Sequence, residues 1–424
     1  MPRAARMGFA GSALVLGSSF ALANKVWVVD QNGGGHFTQI QPAIDAAVDR
    51  DTILVLAGVY PGFTIDDKEL AVVGEDGANV QVNGQVVIQN LVAGKFLVFG
   101  GFSARATNTA TLWLKDNLGS VRVQSVVLEG TYPGTAVVTT QAALVESSAD
   151  VFFTASTLVG ASGLYWAPGR PGGHGLRSIG SSVALYDCTL RGGSGGLGAG
   201  SQWFGDGGTG GHGCFTSSGF LFASSTSFEG GRGGDSSPYG DCIGGYGWGG
   251  DGGHGLAIST AQGELQRSPA HGGPPGQGMG GGPPMYCGWV DGNPGVSIDN
   301  PGLVHVTPGP PRRLAAQLVV REASSVPLSF DGLSGDWVSL YLSRETLYEF
   351  SPPRKGVFMV PPSSSAQFMG QTNSAGHLSS GLVVPDLGGS VESRVYFLQS
   401  VHRAGTADRT LGTGRCLVVL DQAF

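Results

Sequence analysis

Four stretches in the middle of the chain repeat one pattern, in which an alternating apolar strand is followed by a second short strand and a glycine. These repeats end at glycines 130, 160, 192 and 230, with a weaker one at 272, so that they are 30, 32, 38 and 42 residues apart. A coil of three short strands with tight turns needs only about 21–27 residues. Each repeat therefore holds one complete coil plus an insertion, and the insertions lengthen toward the C-terminus. The pattern predicts a solenoid whose coils stack at ~4.8 Å and bury alternate side chains against one another.

The composition is that of a folded chain. Glycine and proline are abundant, at 74 and 23 of 424 residues, but 41% of the residues are hydrophobic and only 13% are charged, which is too apolar for a disordered protein. Glycine shows no three-residue period, which excludes collagen. No apolar run after the N-terminus approaches the ~20 residues of a membrane-spanning helix, so we expect no transmembrane span after signal removal. The net charge of −7 argues against nucleic acid as a partner, because that affinity needs clustered cations.

The N-terminus has the features of an export signal. Arg3 and Arg6 precede an apolar stretch of small residues from Met7 to Phe20, and Ala21-Leu22-Ala23 follows as a cleavage site. We therefore expect residues 1–23 to be a secretory signal peptide and the mature protein to be secreted or displayed at the cell surface.

Five cysteines would then lie in an oxidising compartment, where disulfides persist. Cys242 and Cys287 lie in glycine-rich stretches without strand pairing of their own, and they are the preferred bridge, although spacing alone does not determine connectivity. We expect Cys188 and Cys214 to pack as small apolar side chains on strands.

Residues 24–76 contain a short strand, a glycine turn, an amphipathic helix around Phe37–Ala47 and a buried strand. The motifs Phe37-Thr38-x-Ile40-Gln41-x-Ala43-Ile44-Asp45-Ala46, Asp51-Thr52-Ile53, Gly58-x-Tyr60 and Val73-Gly74-Glu75 occur there in that order. This segment of about fifty residues resembles the N-terminal cap and first coil of the pectin-lyase-like right-handed β-helix superfamily, and pectin methylesterases in particular. The resemblance implies an all-β, right-handed parallel β-helix with a cap helix at its start.

The motifs that carry catalysis in pectin methylesterases are missing after residue 76, so we expect no esterase activity. Other enzymes of this fold use closely placed carboxylates, and Ca²⁺ would be the cofactor of a polysaccharide lyase. The candidate carboxylates here are Asp187, Glu229, Asp206, Asp235, Asp241, Asp251 and Asp291. Since an aspartate beside glycine commonly caps its own backbone in a turn, we assign no catalytic residue and no cofactor.

The insertions between residues 161 and 300 are nearly pure glycine and could be read as flexible linkers. Each of them also contains aromatic residues, which linkers rarely carry. A flat apolar ring with a polar edge suits a sugar ring, so these residues are candidates for carbohydrate binding, the alternative being that they anchor their own loops. The candidates are Trp166, Trp203, Tyr239, Tyr246, Trp248, Tyr286 and Trp289.

The tetrapeptide GGHG recurs before a strand at His174, His212 and His254. Equivalent positions of stacked coils lie one above the other, so the imidazoles should form a ladder at ~4.8 Å. A Zn²⁺ site is the alternative, but this spacing is wide for three nitrogens that must each lie about 2.1 Å from one ion. We therefore predict a structural ladder and no metal ligand.

After Pro308-Gly309-Pro310-Pro311 the glycine content falls and short alternating strands return, which predicts a small β-sandwich at residues 308–424. The expected strands are Leu318–Arg321, Trp337–Leu342, Gly356–Val360, Leu382–Val384, Arg394–Val401 and Cys416–Leu420. The β-helix would then occupy residues 24–307, with the cap and first coil at 24–76 and the glycine-rich insertions at 161–300.

Two functions from different classes fit these features. The first is a secreted, non-catalytic protein that binds a polysaccharide or cell-envelope glycan through its aromatic loops. The second is a polysaccharide-degrading enzyme, a lyase or glycoside hydrolase, with aspartates at the base of the loops. A groove that gathers carboxylates with a Lys or Arg would favour the enzyme, and projecting aromatic residues without such carboxylates would favour binding. A purely structural solenoid is the third alternative.

Overall fold

A computed structural model describes residues 24–107, 109–132, 139–165, 168–198, 205–236, 247–278, 289–405 and 408–424. The predicted signal peptide lies outside this part of the chain and stays a prediction. No helix of the described residues is long and apolar enough to cross a bilayer.

The N-terminal two thirds of the described chain form a parallel β-helix of 22 strands, which confirms the predicted fold class. The repeats stack in the register that their pattern predicts: Val121 pairs with Val151, Val151 with Val183, and Val183 with Leu221. Each coil contributes one strand to each of three sheets, which we call the first, second and third sheets.

Four longer strands bend from one sheet into another, and they are Gly58–Asp66, Val80–Gln89, Leu176–Tyr186 and Cys214–Ser224. The other strands of the first sheet are Ser103–Ala106, Val127–Gly130, Thr157–Val159, Thr189–Arg191, Ser227–Glu229 and Ala270–His271. Those of the second sheet are Ala110–Lys115, Gln141–Glu146, Leu256–Ile258 and Ile298–Asp299. Those of the third sheet are Val26–Val29, Thr52–Val55, Ala71–Gly74, Phe96–Gly100, Ser120–Gln124, Asp150–Thr154, Gln262–Gln266 and Val304–Val306.

The interior of the solenoid is filled by columns of equivalent apolar side chains. Leu128, Leu158, Leu190 and Phe228 occupy one such column on successive coils and are completely buried. Burial of each of these side chains stabilises the fold by about 1.5–3 kcal/mol. Stacking of like residues therefore holds successive coils in register.

A short helix, Ile40–Ala46, closes the N-terminal end of the solenoid. It buries Ile40, Ala43 and Ile44 against the first coil. The helix is shorter than the predicted 37–47 because Phe37 forms an isolated parallel bridge with Val29 and Gln39 is still extended.

The C-terminal region forms two sheets that pack face to face, as the predicted sandwich requires. The five-stranded sheet contains Val319–Arg321, Asp408–Leu420, Ser393–Ala404, Trp337–Ser343 and Ser365–Gln371. The three-stranded sheet contains Arg313–Ala315, Ser325–Asp331 and His377–Val383. A separate pair is formed by Glu349–Ser351 and Gly356–Phe358, and two 3₁₀ helices span Pro301–Leu303 and Pro352–Arg354.

Sequence reasoning missed two long strands of the sandwich. Ser325–Asp331 contains Pro327, a residue that argues against a central strand. Ser365–Gln371 lies at a sheet edge, where its mostly exposed side chains lack the alternation of a half-buried strand.

The sandwich packs along the third sheet of the solenoid. Apolar side chains of both units, among them Phe152 and Phe222 of the solenoid and Phe397 and Val418 of the sandwich, form one buried cluster. The Tyr186 hydroxyl donates to the Val357 carbonyl at 3.2 Å within this interface. The sandwich therefore covers most of the third sheet, whereas the last strand of that sheet, Val304–Val306, stays exposed.

Candidate functional site

The four long insertions leave the solenoid at the same point of each coil, between a strand of the first sheet and a strand of the second. Each insertion contains a segment that runs outward and a segment that returns. We call these eight segments together the glycine slab. The outward segments are 160–164, 192–198, 230–236 and 272–278, and the returning segments are 168–175, 205–213, 247–255 and 289–297.

Backbone hydrogen bonds join the segments with a period of three residues. Along one returning segment, the amides of Gly207, Gly210 and Gly213 donate to carbonyls of the next returning segment at 2.8–3.0 Å. Other amides bond across the slab, for example Gly193 to Gly173 and Gly211 to Gly193, both at 2.8 Å. In the described residues no backbone bond joins two residues of one segment, as expected for polyproline II-type helices with three residues per turn.

The insertions thus have a three-residue glycine period, although we expected no such period anywhere in the chain. The expectation was wrong for the insertions, because GGx triplets run through each of them, as in residues 207–213. The chain as a whole still lacks the continuous period of collagen. The flexible-linker alternative also fails, since these glycines donate regular backbone bonds.

Glycine is required in the slab for close packing. A Cβ placed on Gly211 would lie 1.9 Å from the Gly173 carbonyl oxygen, and one on Gly193 would lie 1.9 Å from that of Ala161. The described slab glycines do not have the left-handed φ at which glycine is favoured for conformational reasons. Only a residue without a side chain lets neighbouring segments approach this closely, as at the axis of collagen.

Three aspartates of the slab accept hydrogen bonds from the backbone of the following insertion. Oδ1 of Asp251 accepts from the Asn293 amide at 2.6 Å, and Oδ1 of Asp235 accepts from the Gln277 amide at 2.7 Å. Asp206 does the same for the Trp248 amide at 3.1 Å. The expectation that these residues cap their own turns was therefore wrong: they pair each coil with the next.

The histidines occupy the equivalent position at the inner end of the slab. The rings of His174 and His212 lie 4.8 Å apart with an interplanar angle of 2°, and those of His212 and His254 lie 4.8 Å apart at 6°. Nδ1 of His174 accepts from the His212 amide at 2.9 Å, and Nδ1 of His212 accepts from the His254 amide at 2.9 Å. Because Nδ1 accepts, each ring is neutral and carries its proton on Nε2.

The ladder continues at both ends through residues that the GGHG pattern does not contain. Oε1 of Gln141 accepts from the His174 amide at 2.6 Å, and Nδ1 of His254 accepts from the Val296 amide at 3.1 Å. Sequence reasoning missed Gln141 because it lies on a coil strand before the first histidine, where no repeated motif marks it.

A groove of about 560 Å³ runs along the ladder, between the slab and the second sheet. Arg177, Thr209 and Asp251 line it together with the three histidines. Parallel rings do not direct three nitrogens at one ion, and in the described residues no group of three His, Cys, Asp or Glu side chains is placed to hold a metal. The groove offers neutral imidazole donors and one cation to a polar ligand.

Burial, together with the neighbouring His212 and Arg177, lowers the pKa of His174 to about 3. Burial also lowers the pKa of His212 to about 4, together with His254 and against the opposing effect of Asp299. The unfolded chain takes up these protons near pH 6.5. The contribution of these two rings to the free energy of unfolding should therefore be fully present above pH 6.5. It should decrease as the pH falls, until the native rings themselves titrate near pH 4 and 3. The slope should be up to about 1.4 kcal/mol per pH unit for each ring.

The free energy of unfolding, measured by denaturant titration from pH 7.5 to 4, tests this expectation. In a His212→Asn variant the amide oxygen can still accept the His254 bond but does not titrate, so its pH slope should be smaller than that of the parent. An identical slope in both proteins would show that the ladder does not govern acid stability.

The other candidate residues are dispersed. Glu229 pairs with Arg191 at 2.7 Å, whereas Asp187 pairs with Arg313 of the C-terminal region at 2.8 Å. Asp291 accepts from the Gly278 amide, and Asp241 lies outside the described residues. Glu229 and Asp187 thus lie apart from the slab aspartates, whereas Asp235 and Asp291 accept from consecutive amides, those of Gln277 and Gly278.

Cys188 and Cys214 are free and buried among apolar side chains, as predicted. Cys242 and Cys287 lie outside the described residues. The stretches that contain them begin side by side, since the Ser236 amide donates to the Gln277 carbonyl at 2.9 Å. The bridge between them stays a prediction.

Most of the aromatic candidates also lie outside the described residues, namely Trp166, Trp203, Tyr239, Tyr246 and Tyr286. Trp248 lies at the outer end of a returning segment with 52% of its surface exposed, and its backbone pairs with that of Val290 next to Trp289. Tyr165, at the outer end of the first outward segment, is 59% exposed. With the exposed Leu197 and Val290, they place large apolar side chains at this end of the slab.

No family model matches the chain, and no curated protein matches it. Among solved structures, it is similar to the enzymatically active domain of tailspike protein 2 of bacteriophage CBA120, with 10% identity over 89% of this chain and 73% of that chain and a TM-score of 0.26. It is also similar to superoxide reductase (neelaredoxin) from Ignicoccus hospitalis, with 13% identity over 26% of this chain and 80% of that chain and a TM-score of 0.16. The assignment of a parallel β-helix rests on the register of the strands.

Proposed function

We propose that this protein is a secreted, non-catalytic binding protein that recognises a glycan through the outer end of the glycine slab. The observation that carries the proposal is the register of the four insertions. Since their outward and returning segments pair throughout, the four stretches that connect them start from neighbouring points. Those stretches contain most of the aromatic residues that the sequence singles out for sugar contact.

The described segments of the slab form a preorganised base for a binding surface at this end. Its glycines are tied to neighbouring segments by backbone bonds in two directions, so little ordering is left to occur when a ligand binds. The exposed Trp248 and Tyr165 add flat apolar faces at the same end. Exposed apolar patches on a soluble protein typically mark an interaction site.

The export signal predicted at residues 1–23 and the resemblance of residues 37–75 to pectin-lyase-like proteins agree with a role in polysaccharide recognition. The competing function, polysaccharide cleavage, has less support. The slab aspartates are engaged as acceptors for backbone amides, and engaged carboxylates are poorly placed to act as a general acid and base.

A panel of immobilised polysaccharides tests the proposal, with retention and the release of reducing ends or unsaturated products scored in the same samples. We expect retention on one class of glycan without product. Trp248→Ala should weaken that retention about tenfold, because truncation of a central aromatic typically costs more than 1 kcal/mol of binding.

Leu118→Ala is the matched control, since Leu118 is equally accessible but lies on the solenoid, away from the slab. It should leave retention unchanged. Loss of retention in both variants, or no retention on any glycan, would contradict the proposal, and product that disappears in an Asp206→Asn variant would establish the enzyme instead.

A further inference from the structure

The five-stranded sheet of the sandwich extends beyond the solenoid and carries an open groove on its uncovered part. Near Phe397 and Val418 this face of the sheet packs against the third sheet of the solenoid. Farther along the same strands lies a groove of about 340 Å³, a size within the range of small-ligand pockets. Three aromatic residues and two arginines line it, namely Trp337, Tyr341, Phe368, Arg403 and Arg409.

The aromatic side chains of this groove are unusually accessible. Trp337 is 42% exposed and Phe368 is 58% exposed, and their ring centroids lie 5.5 Å apart at an angle of 35°. Neither ring belongs to a hydrophobic cluster of the described residues. Two large apolar faces therefore meet solvent side by side, although their burial would stabilise the protein.

The two arginines lie directly opposite each other on neighbouring strands. Arg403 pairs in register with Arg409 on one side and with Trp337 on the other. Like charges in this position destabilise a sheet. Both side chains are exposed, and neither forms an ion pair with any carboxylate whose side chain the structure describes, a set that does not include Asp408. An anion between them would relieve the repulsion.

We infer that this groove binds an acidic saccharide, with the sugar ring against Trp337 and Phe368 and its anionic substituent between Arg403 and Arg409. An aromatic face matches the apolar side of a pyranose ring, and guanidinium groups bind a carboxylate through paired, charge-assisted hydrogen bonds. The site lies on the sandwich and does not depend on recognition by the glycine slab.

Calorimetric titration of the full protein with trigalacturonate tests the inference. We expect binding that weakens with added salt, because the charges are exposed. Arg403→Gln and Trp337→Ala should each weaken it about tenfold, since the first removes charge-assisted hydrogen bonds to the carboxylate and the second removes the ring that stacks on the sugar. The trimethyl ester of the same trisaccharide, which keeps the rings and lacks the charges, should not bind.

Arg344→Gln and Trp248→Ala are the matched controls: the first removes an exposed arginine elsewhere on the sandwich and the second an exposed tryptophan of the slab. Neither should change the affinity for trigalacturonate, so failure of the slab proposal leaves this one testable. If Arg403→Gln or Trp337→Ala does not fold, Arg409→Gln and Phe368→Ala take their place as test variants.

Three outcomes would overturn the inference. Trigalacturonate could fail to bind, or the methyl ester could bind equally well. Tripolyphosphate, an anion without a sugar ring, could displace trigalacturonate while Trp337→Ala has no effect, which would reduce the groove to a general anion patch.

Discussion

Replacing Gly211 by alanine should destabilise the protein by about 3 kcal/mol or more, at the upper end of what overpacking costs. The new methyl group would lie 1.9 Å from the carbonyl oxygen of Gly173 and 2.5 Å from its carbon. Both are backbone atoms, and Gly173 itself donates to Ala161 and accepts from Gly193. No side chain can rotate away, so whole segments must separate and lose their hydrogen bonds.

Amide hydrogen exchange should locate this damage. In the parent protein the amides of Gly193 and Gly231 are buried inside the slab and bonded at 2.8 Å, and we expect them to be protected. In Gly211→Ala their protection should fall to that of solvent-exposed amides, whereas the coil amides around Leu158 should exchange as before.

Two matched variants separate packing from the general effect of replacing glycine. Gly302→Ala adds a methyl group where no atom lies within 4 Å and where φ is not left-handed. Ser194→Ala changes a non-glycine position within the slab itself. Both should stay within about 0.5 kcal/mol of the parent. If Gly211→Ala behaves like these two, the slab is not held by close backbone packing.

The solenoid could be predicted from the sequence because its signals are local. Each repeat places apolar residues two apart on a strand, as in Val183 and Leu185, and equivalent positions then stack without further information. The cap helix is similarly marked by Ile40, Ala43 and Ile44 at helical spacing. The growing interval between the glycines likewise predicts that each coil carries an insertion and that the insertions lengthen.

The slab could not be predicted in this way because its partners are distant in sequence. Gly207 bonds to Trp248, and Gly211 bonds to Gly193 of another segment. Nothing in a GGx triplet distinguishes a packed three-residue helix from a flexible linker, since glycine is favoured in both. The aspartates were misread for the same reason, because the amides that donate to them lie one insertion later.

The interface between the solenoid and the sandwich could likewise not be predicted from the sequence. A strand such as Ser120–Gln124 was expected to expose every second side chain, yet Arg122 is completely buried. Only the packing of the sandwich against the third sheet explains an arginine at that position.

Replacing Asp150 by asparagine should therefore destabilise the protein by about 3–5 kcal/mol, the usual consequence of leaving a buried charge without its partner. Arg122 bonds to both carboxylate oxygens of Asp150, at 2.5 and 3.0 Å, and its guanidinium lies 4.4 Å from the ring centre of Phe152. It also donates to Thr346 of the C-terminal region. No other carboxylate contacts the guanidinium in the described residues, so the Asp150→Asn substitution would leave its charge uncompensated.

The double variant Arg122→Met with Asp150→Asn distinguishes loss of charge balance from loss of shape. It removes both charges, places an apolar side chain of similar length at 122 and leaves an acceptor for the Ser120 hydroxyl at 150. Replacement of a buried ion pair by apolar residues of similar volume is often neutral for stability. We expect it to recover most of the free energy lost in Asp150→Asn when both are measured by denaturant unfolding at pH 7.

The exposed pair of Arg191 and Glu229 on the solenoid is the control. Its partners are 2.7 Å apart, about as close as those of the buried pair, but 55% and 40% of their side-chain surfaces are exposed. Glu229→Gln should then cost at most about 1 kcal/mol, because water screens the remaining arginine. If Asp150→Asn costs no more than Glu229→Gln, water must reach Arg122, and the sandwich cannot seal the third sheet as tightly as the structure indicates.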